Sequence, residues 1–103
     1  MYGVYTVWQE EVNFRIQAYI GLFVVGAALW FRFSRFEWIV LVFCIGAILS
    51  AEMLNTAVED LCDRVEPAYD PLIGKVKDIM AGFVFIVSCG ALITGSVLFL
   101  GYL

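Results

Sequence analysis

The stretch Trp38-Ile-Val-Leu-Val-Phe-Cys-Ile-Gly-Ala-Ile-Leu-Ser-Ala-Glu-Met-Leu-Asn-Thr-Ala-Val58 decides the fold. It carries a single charge, Glu52, with uncharged residues from Trp38 to Ala51 before it and from Met53 to Val58 after it. About 20 mostly apolar residues in a helix cross the hydrocarbon core of a bilayer. The stretch therefore reads as one crossing with an ionisable residue toward its end. Working outward, Ile79 to Leu103 has no charge at all, and Ile16 to Phe31 has none and a single amide, Gln17. Gly82, Ser88, Gly90, Ala91 and Gly95 punctuate the last segment. Small residues of this kind let membrane helices approach closely, whereas so many glycines would weaken a helix in water.

Composition agrees. Of 103 residues, 63% are hydrophobic and 16% charged, and the mean hydropathy is +0.93. Soluble domains run at about 45–50% apolar and about 25% charged. A globule of this length in water has too little interior to hide so much apolar surface. Disordered, collagen-like and ordinary soluble-enzyme readings are excluded. The net charge of −4, with no His and no basic patch, argues against a nucleic-acid partner. Cys44, Cys62 and Cys89 form no metal-ligand pattern and read as inert thiols in apolar surroundings.

Two breaks separate the apolar runs. Phe31-Arg-Phe-Ser-Arg-Phe-Glu-Trp38 mixes aromatics with charge, as interfacial turns do. Glu66-Pro-Ala-Tyr-Asp-Pro71 brings two prolines together, which disfavours helix at and just before each ring. The expectation is an all-α chain, residues 1–103 as a single domain. Three transmembrane helices cover 13–32, 36–65 and 72–102, and a short amphipathic segment covers 2–12. The first eight residues lack a basic n-region and so do not read as a signal peptide. With three crossings, the N-terminus and the 66–71 loop share one side with Arg15, Arg64, Lys75 and Lys77, against Arg32 and Arg35 on the other. The excess of basic residues predicts a cytoplasmic N-terminus.

The polar residues are grouped. Glu52, Asn55, Glu59 and Asp63 follow i, i+3, i+7, i+11 spacing, a stripe about 80° wide on one helix face. A carboxylate at membrane depth costs about 2.5–3.5 kcal/mol on insertion scales, so such a stripe needs a metal, another cation or water. Lys75, Lys77 and Asp78 open the third crossing at the same membrane face, and Glu11 and Arg15 sit four apart where the first enters lipid. Lysines there suit phosphate oxygens or simply snorkel to the interface, and the Glu11/Arg15 spacing also suits a purely structural pair. Hard carboxylates suit Mg²⁺, which takes one or two of them plus substrate phosphates. The residues alone leave open metal-assisted chemistry or ion handling at a membrane surface.

The segment Ala51-Glu-Met-Leu-Asn-Thr-Ala-Val-Glu-Asp-Leu-Cys-Asp63, followed by Lys77-Asp-Ile-Met-Ala-Gly82, closely resembles the small prokaryotic lipid kinases, the diacylglycerol and undecaprenol kinases. Glu11-x-Asn-Phe-Arg15, and Gly3 eight residues before Glu11, also fit. The resemblance covers nearly the whole chain. It implies a homotrimer with active sites between subunits, ATP and Mg²⁺ as donor and cofactor, a lipid alcohol as acceptor, and a place in the bacterial cytoplasmic membrane. By motif position it implies Glu52 as the general base and Glu11 and Glu59 as Mg²⁺ ligands facing the nucleotide. Asn55, Ala68, Tyr69, Asp70, Lys77 and Asp78 fall at nucleotide contacts. Asn13, Phe14, Arg15, Ile16, Gln17 and Ala81, together with Glu52, fall on the lipid-binding surface. Gln17 stands where the diacylglycerol kinases often carry a carboxylate, and with Thr56 and Pro67 it favours undecaprenol as acceptor, with diacylglycerol the alternative. Asp70 stands where a His is common, and no Lys or Arg precedes Arg15 although the family usually begins with a longer basic helix. That departure leads to an expectation of either a truncated reading or a weaker nucleotide site. Two further readings are a small proton-coupled transporter, because a lone membrane Glu also serves transport, and an inactive kinase-like scaffold.

Overall fold

The computed structural model describes residues 2–65 and 70–103. They form four helices: α1 (Tyr2–Glu10), α2 (Val12–Trp30), α3 (Arg35–Val65) and α4 (Pro71–Leu100). The last three are long and apolar enough to cross a membrane. At 1.5 Å per residue the 31 residues of α3 extend about 46 Å, enough to cross the hydrocarbon core and leave its last turns in the head-group region. Helix α3 is the central element. Helices α1, α2 and α4 all pack on it, and α1 also touches α2.

The first two helices are separated at Glu11, whose extended backbone (φ −114°, ψ 108°) breaks the run. A second pivot is the close approach of α2 to α3 at Gly21, where an added Cβ would lie 3.3 Å from Ile45 Cγ2. A Cβ there would press on the Ile45 side chain, which would have to give by a few tenths of an ångström. Helix α2 ends at Trp30, two residues before the expected end. The reason is local: Arg32 takes φ 56°, Arg32 N–H donates to the Leu29 carbonyl and Phe33 N–H donates to the Ala28 carbonyl. This is the Schellman closure, with an arginine in the left-handed position usually given to glycine. The hydrophobic contact that accompanies it is present, since Ala28, Phe33 and Leu41 form the buried cluster at this end of the molecule.

The start of α3 is secured by Ser34 and Glu37. Ser34 N–H donates to Glu37 Oε1 at 2.8 Å, and Glu37 N–H donates to Ser34 Oγ at 3.2 Å, the reciprocal capping box. The Tyr102 hydroxyl donates to Glu37 as well, and its ring stacks on Phe33 at 5.2 Å between centroids. The chain after α4 is thereby tied to the start of α3. Helix α4 stops at Leu100, short of the expected 102, and Gly101 follows as its C-cap.

No residue of α4 is buried, and Phe85, Ile86, Leu92 and Val97 are all well exposed. In water such a face would be unfavourable; in a bilayer, lipid or other membrane helices cover it. Between α2 and α4, over α3, runs a cleft of about 540 Å³ lined by apolar residues with Gln17, Ser88 and Ser96 among them.

Candidate functional site

The polar stripe of α3 lies at the end of the molecule that holds α1 and the start of α4. Helix α1 rests against it: a Cβ on Gly3 would lie 3.9 Å from Met53 Cε, and Val7 is the one residue of α1 that is buried. Trp8 packs edge-on against Tyr19 of α2 with ring centroids 5.6 Å apart. These contacts hold α1 beside the residues flanking Glu52. They also set Glu11, at the α1–α2 break, near the same region.

Glu52 is half-buried on α3, and Glu59 follows it by seven positions on the same helix face. The Thr56 hydroxyl donates to the Glu52 carbonyl at 3.0 Å; this satisfies the buried threonine and leaves the Glu52 carboxylate out of the bond. Asn55 Oδ1 is buried with no hydrogen-bond donor among the described residues. A buried acceptor left in that condition costs about 1–3 kcal/mol, a cost removed when a donor arrives.

Lys77 reaches across from α4. Its ammonium donates to Asp63 Oδ1 at 2.6 Å. Asp63 extends the α3 stripe one turn beyond Glu59. Asp70 sits at the start of α4. Its Oδ1 accepts from Leu72 N–H at 2.8 Å and Ile73 N–H at 3.4 Å. That makes it the N-cap of α4, followed by Pro71 at the first helical position. Asp78 is exposed one residue beyond Lys77, and Lys75 with Asp78 lines a shallow depression with Pro71, Gly74 and Ile79. Ala68 and Tyr69 lie outside the described residues.

On the first crossing, Asn13 and Ile16 are exposed, Arg15 and Gln17 half-exposed, and Phe14 is buried. Phe14 therefore packs inward rather than presenting its ring on the surface. Gln17 lines the cleft between α2 and α4, and Ala81 is exposed on α4.

The donor set suits a hard divalent cation. Glu52 and Glu59 share one face of α3, and Lys77 of α4 is engaged by Asp63 on that face. No three His, Cys, Asp or Glu side chains among the described residues converge to hold a metal by themselves. The residues present would supply Mg²⁺ with one or two carboxylates, and water and substrate phosphates would have to complete its shell.

Sequence reasoning missed three features of the site. The Lys77–Asp63 bond depends on how α3 and α4 cross. The Trp8–Tyr19 contact joins helices through a bend at Glu11. The capping role of Asp70 was visible in the pair Asp70-Pro71, a favoured helix start.

Comparison with known proteins completes the description. The family described as prokaryotic diacylglycerol kinase matches residues 1–99. An undecaprenol kinase of Bacillus subtilis is 31% identical over 98 residues, covering 95% of this chain and 80% of the relative. A diacylglycerol kinase of Escherichia coli K12 is 29% identical over 96 residues, covering 93% and 79%. A diacylglycerol kinase of Synechocystis is 32% identical over 99 residues, covering 95% of this chain and 57% of the longer relative.

Proposed function

The chain belongs to the prokaryotic diacylglycerol kinase family of lipid kinases, and from that premise we propose that it transfers the γ-phosphate of ATP, with Mg²⁺, to the hydroxyl of undecaprenol. It is a multi-pass membrane protein with a lipid substrate. The observation that carries the reading is the stripe of Glu52, Asn55, Glu59 and Asp63 on one face of α3, with Lys77 of α4 bonded to Asp63 and α1 packed on the same helix.

Phosphoryl transfer asks a protein chiefly for positioning and for stabilisation of charge. Glu52 accepts the proton of the lipid hydroxyl. The freed oxygen attacks the γ-phosphorus, the bond from that phosphorus to the β–γ bridging oxygen breaks, and ADP leaves with the electron pair. Glu52 is suited to this role because its carboxylate accepts no hydrogen bond among the described residues, and a general base must be free to take its proton. Glu11 and Glu59 are the residues to hold Mg²⁺, which when bound neutralises charge on the phosphates. Lys77 and Asp78 meet the nucleotide from α4. Asn55 is assigned beside the transferring group, where its side-chain N–H groups would donate to phosphate oxygens. Gln17 lines the α2–α4 cleft, whose apolar walls suit a hydrocarbon chain, and Asn13, Arg15, Ile16 and Ala81 are the other residues assigned to the lipid, with Phe14 packed behind them.

The quaternary and cellular parts of the reading follow the same line. A homotrimer with sites shared between subunits is supported by the wholly unburied α4, which leaves apolar surface for neighbours as well as lipid. The bias of basic residues supports an N-terminus on the cytoplasmic side of the bacterial inner membrane. The preference for undecaprenol rests on Gln17, an uncharged side chain lining the cleft, and on the likeness to the Bacillus enzyme. Diacylglycerol is the alternative acceptor, favoured by the likeness to the Escherichia enzyme.

The test is a side-by-side assay of purified protein with labelled ATP and Mg²⁺ in mixed micelles containing either undecaprenol or diacylglycerol. Label is expected in undecaprenyl phosphate, at a specificity constant at least about tenfold above that for diacylglycerol, which corresponds to roughly 1.4 kcal/mol of discrimination. A preference for diacylglycerol overturns the choice of acceptor. No transfer to either, with substrate-driven proton release in vesicles lacking ATP, favours the transporter reading; nucleotide binding without transfer favours the scaffold.

A further inference from the structure

We propose that Asp63 is a positioning residue for nucleotide binding, acting through Lys77; the inference rests on the lipid-kinase reading and deepens it. The observation is the 2.6 Å bond from Lys77 Nζ to Asp63 Oδ1, the one ion pair between α3 and α4 among the described residues. Asp63 follows Glu59 by four positions, so the two carboxylates lie one turn apart on one face of α3. The bond therefore draws the lysine of α4 onto the stripe that carries Glu59.

Lysine is a flexible four-carbon stem ending in three donors. Left alone at a membrane interface, it extends toward water or lipid phosphates. One donor given to Asp63 anchors the stem over α3, and two remain for the oxygens of a nucleotide. Asp63 itself gains little from the bond in stability, because its side chain is 66% exposed and that of Lys77 is 37% exposed, and exposed pairs contribute little to folding. Its role is to limit where the ammonium can be, so that less freedom is lost when the triphosphate binds.

The proposal has a definite sign. If Asp63 were only a nearby negative charge, its removal would reduce repulsion of the triphosphate and lower the KM for ATP. If it orients Lys77, removal raises that KM.

The experiment measures steady-state kinetics of the full-length protein with ATP and Mg²⁺ in mixed micelles, for wild type, Asp63→Asn, Asp63→Glu, Lys77→Met and the Asp63→Asn/Lys77→Met double variant. Asp63→Asn is expected to raise the KM for ATP roughly three- to fivefold, the scale of an exposed ion pair, with kcat and the KM for the lipid alcohol nearly unchanged. Asp63→Glu restores most of the loss. In the Lys77→Met background, Asp63→Asn adds nothing further, as expected of two residues acting as a unit. An unchanged or lowered KM for ATP in Asp63→Asn overturns the inference. So does an equal factor in the Lys77→Met background, or a parallel loss in kcat and lipid KM, which would mark a structural role. Wild-type protein that transfers no phosphate overturns the lipid-kinase reading and the inference with it. Wild-type transfer with any of the contrary results for Asp63 overturns the inference alone.

Discussion

Replacing Glu52 with Gln is expected to lower the rate of phosphoryl transfer by about 10²–10⁴-fold, the usual contribution of a positioned general base. The substitution keeps the size of the side chain and leaves the main-chain carbonyl that accepts the Thr56 hydroxyl untouched. Packing of α3 is therefore preserved, and the loss reports the missing proton acceptor. Since Glu52 meets the alcohol rather than the nucleotide, the KM for ATP should move little while kcat falls. Single-turnover measurements with excess enzyme separate the chemical step from product release. Full single-turnover rate in the Glu52→Gln variant would remove Glu52 from the base role.

The second large effect is expected at Glu59. Glu59→Gln removes one of two carboxylates assigned to Mg²⁺ while leaving Glu11 in place. Outer partners of a metal site already cost about 10–100-fold in affinity or activity when lost, and a direct ligand should cost at least as much. The loss should appear as a higher Mg²⁺ concentration for half-maximal rate, with part of the activity returning as Mg²⁺ is raised. Glu59 is exposed at the protein surface, so its replacement has little leverage on folding, and the Mg²⁺ titration distinguishes ligand loss from damage to the helix. A titration midpoint equal to that of wild type would take Glu59 out of the metal site.

The three crossings are legible because lipid imposes a simple condition, long uncharged runs, and the sequence from Trp38 to Val58 meets it with one exception. That exception, Glu52, stands out for the same reason. Helix ends are less legible. The turn after Trp30 shows in its mixture of aromatics and charge, but nothing marks Arg32 as the residue with positive φ, because the usual glycine is absent. Ser34-x-x-Glu37 is a local pattern and can be read as a capping box, yet the bond from Tyr102 to Glu37 joins residues far apart in the chain and depends on how α4 returns to α3.

The candidate site divides the same way. Glu52, Asn55, Glu59 and Asp63 share one face by periodicity alone. The position of Glu11 depends on the break between α1 and α2, and the bond of Asp63 to Lys77 depends on the register of α4 on α3. Neither follows from spacing within a helix. Asp70 shows the opposite case: the resemblance suggests a nucleotide contact, while its side chain caps α4, a role local chemistry favours.

The central claim is that Mg²⁺ and ATP lie against the acidic face of α3 at the α1 end of the molecule. Paramagnetic broadening by Mn²⁺ with ATP, in place of Mg²⁺, tests it most directly in isotope-labelled protein in micelles. The account predicts ATP-dependent loss of amide signals around Glu11, from Glu52 to Asp63 and near Lys77, with Ser34, Glu37 and Tyr102 at the far end unaffected. Broadening centred on the Glu37–Tyr102 end, or none that depends on ATP, would contradict it.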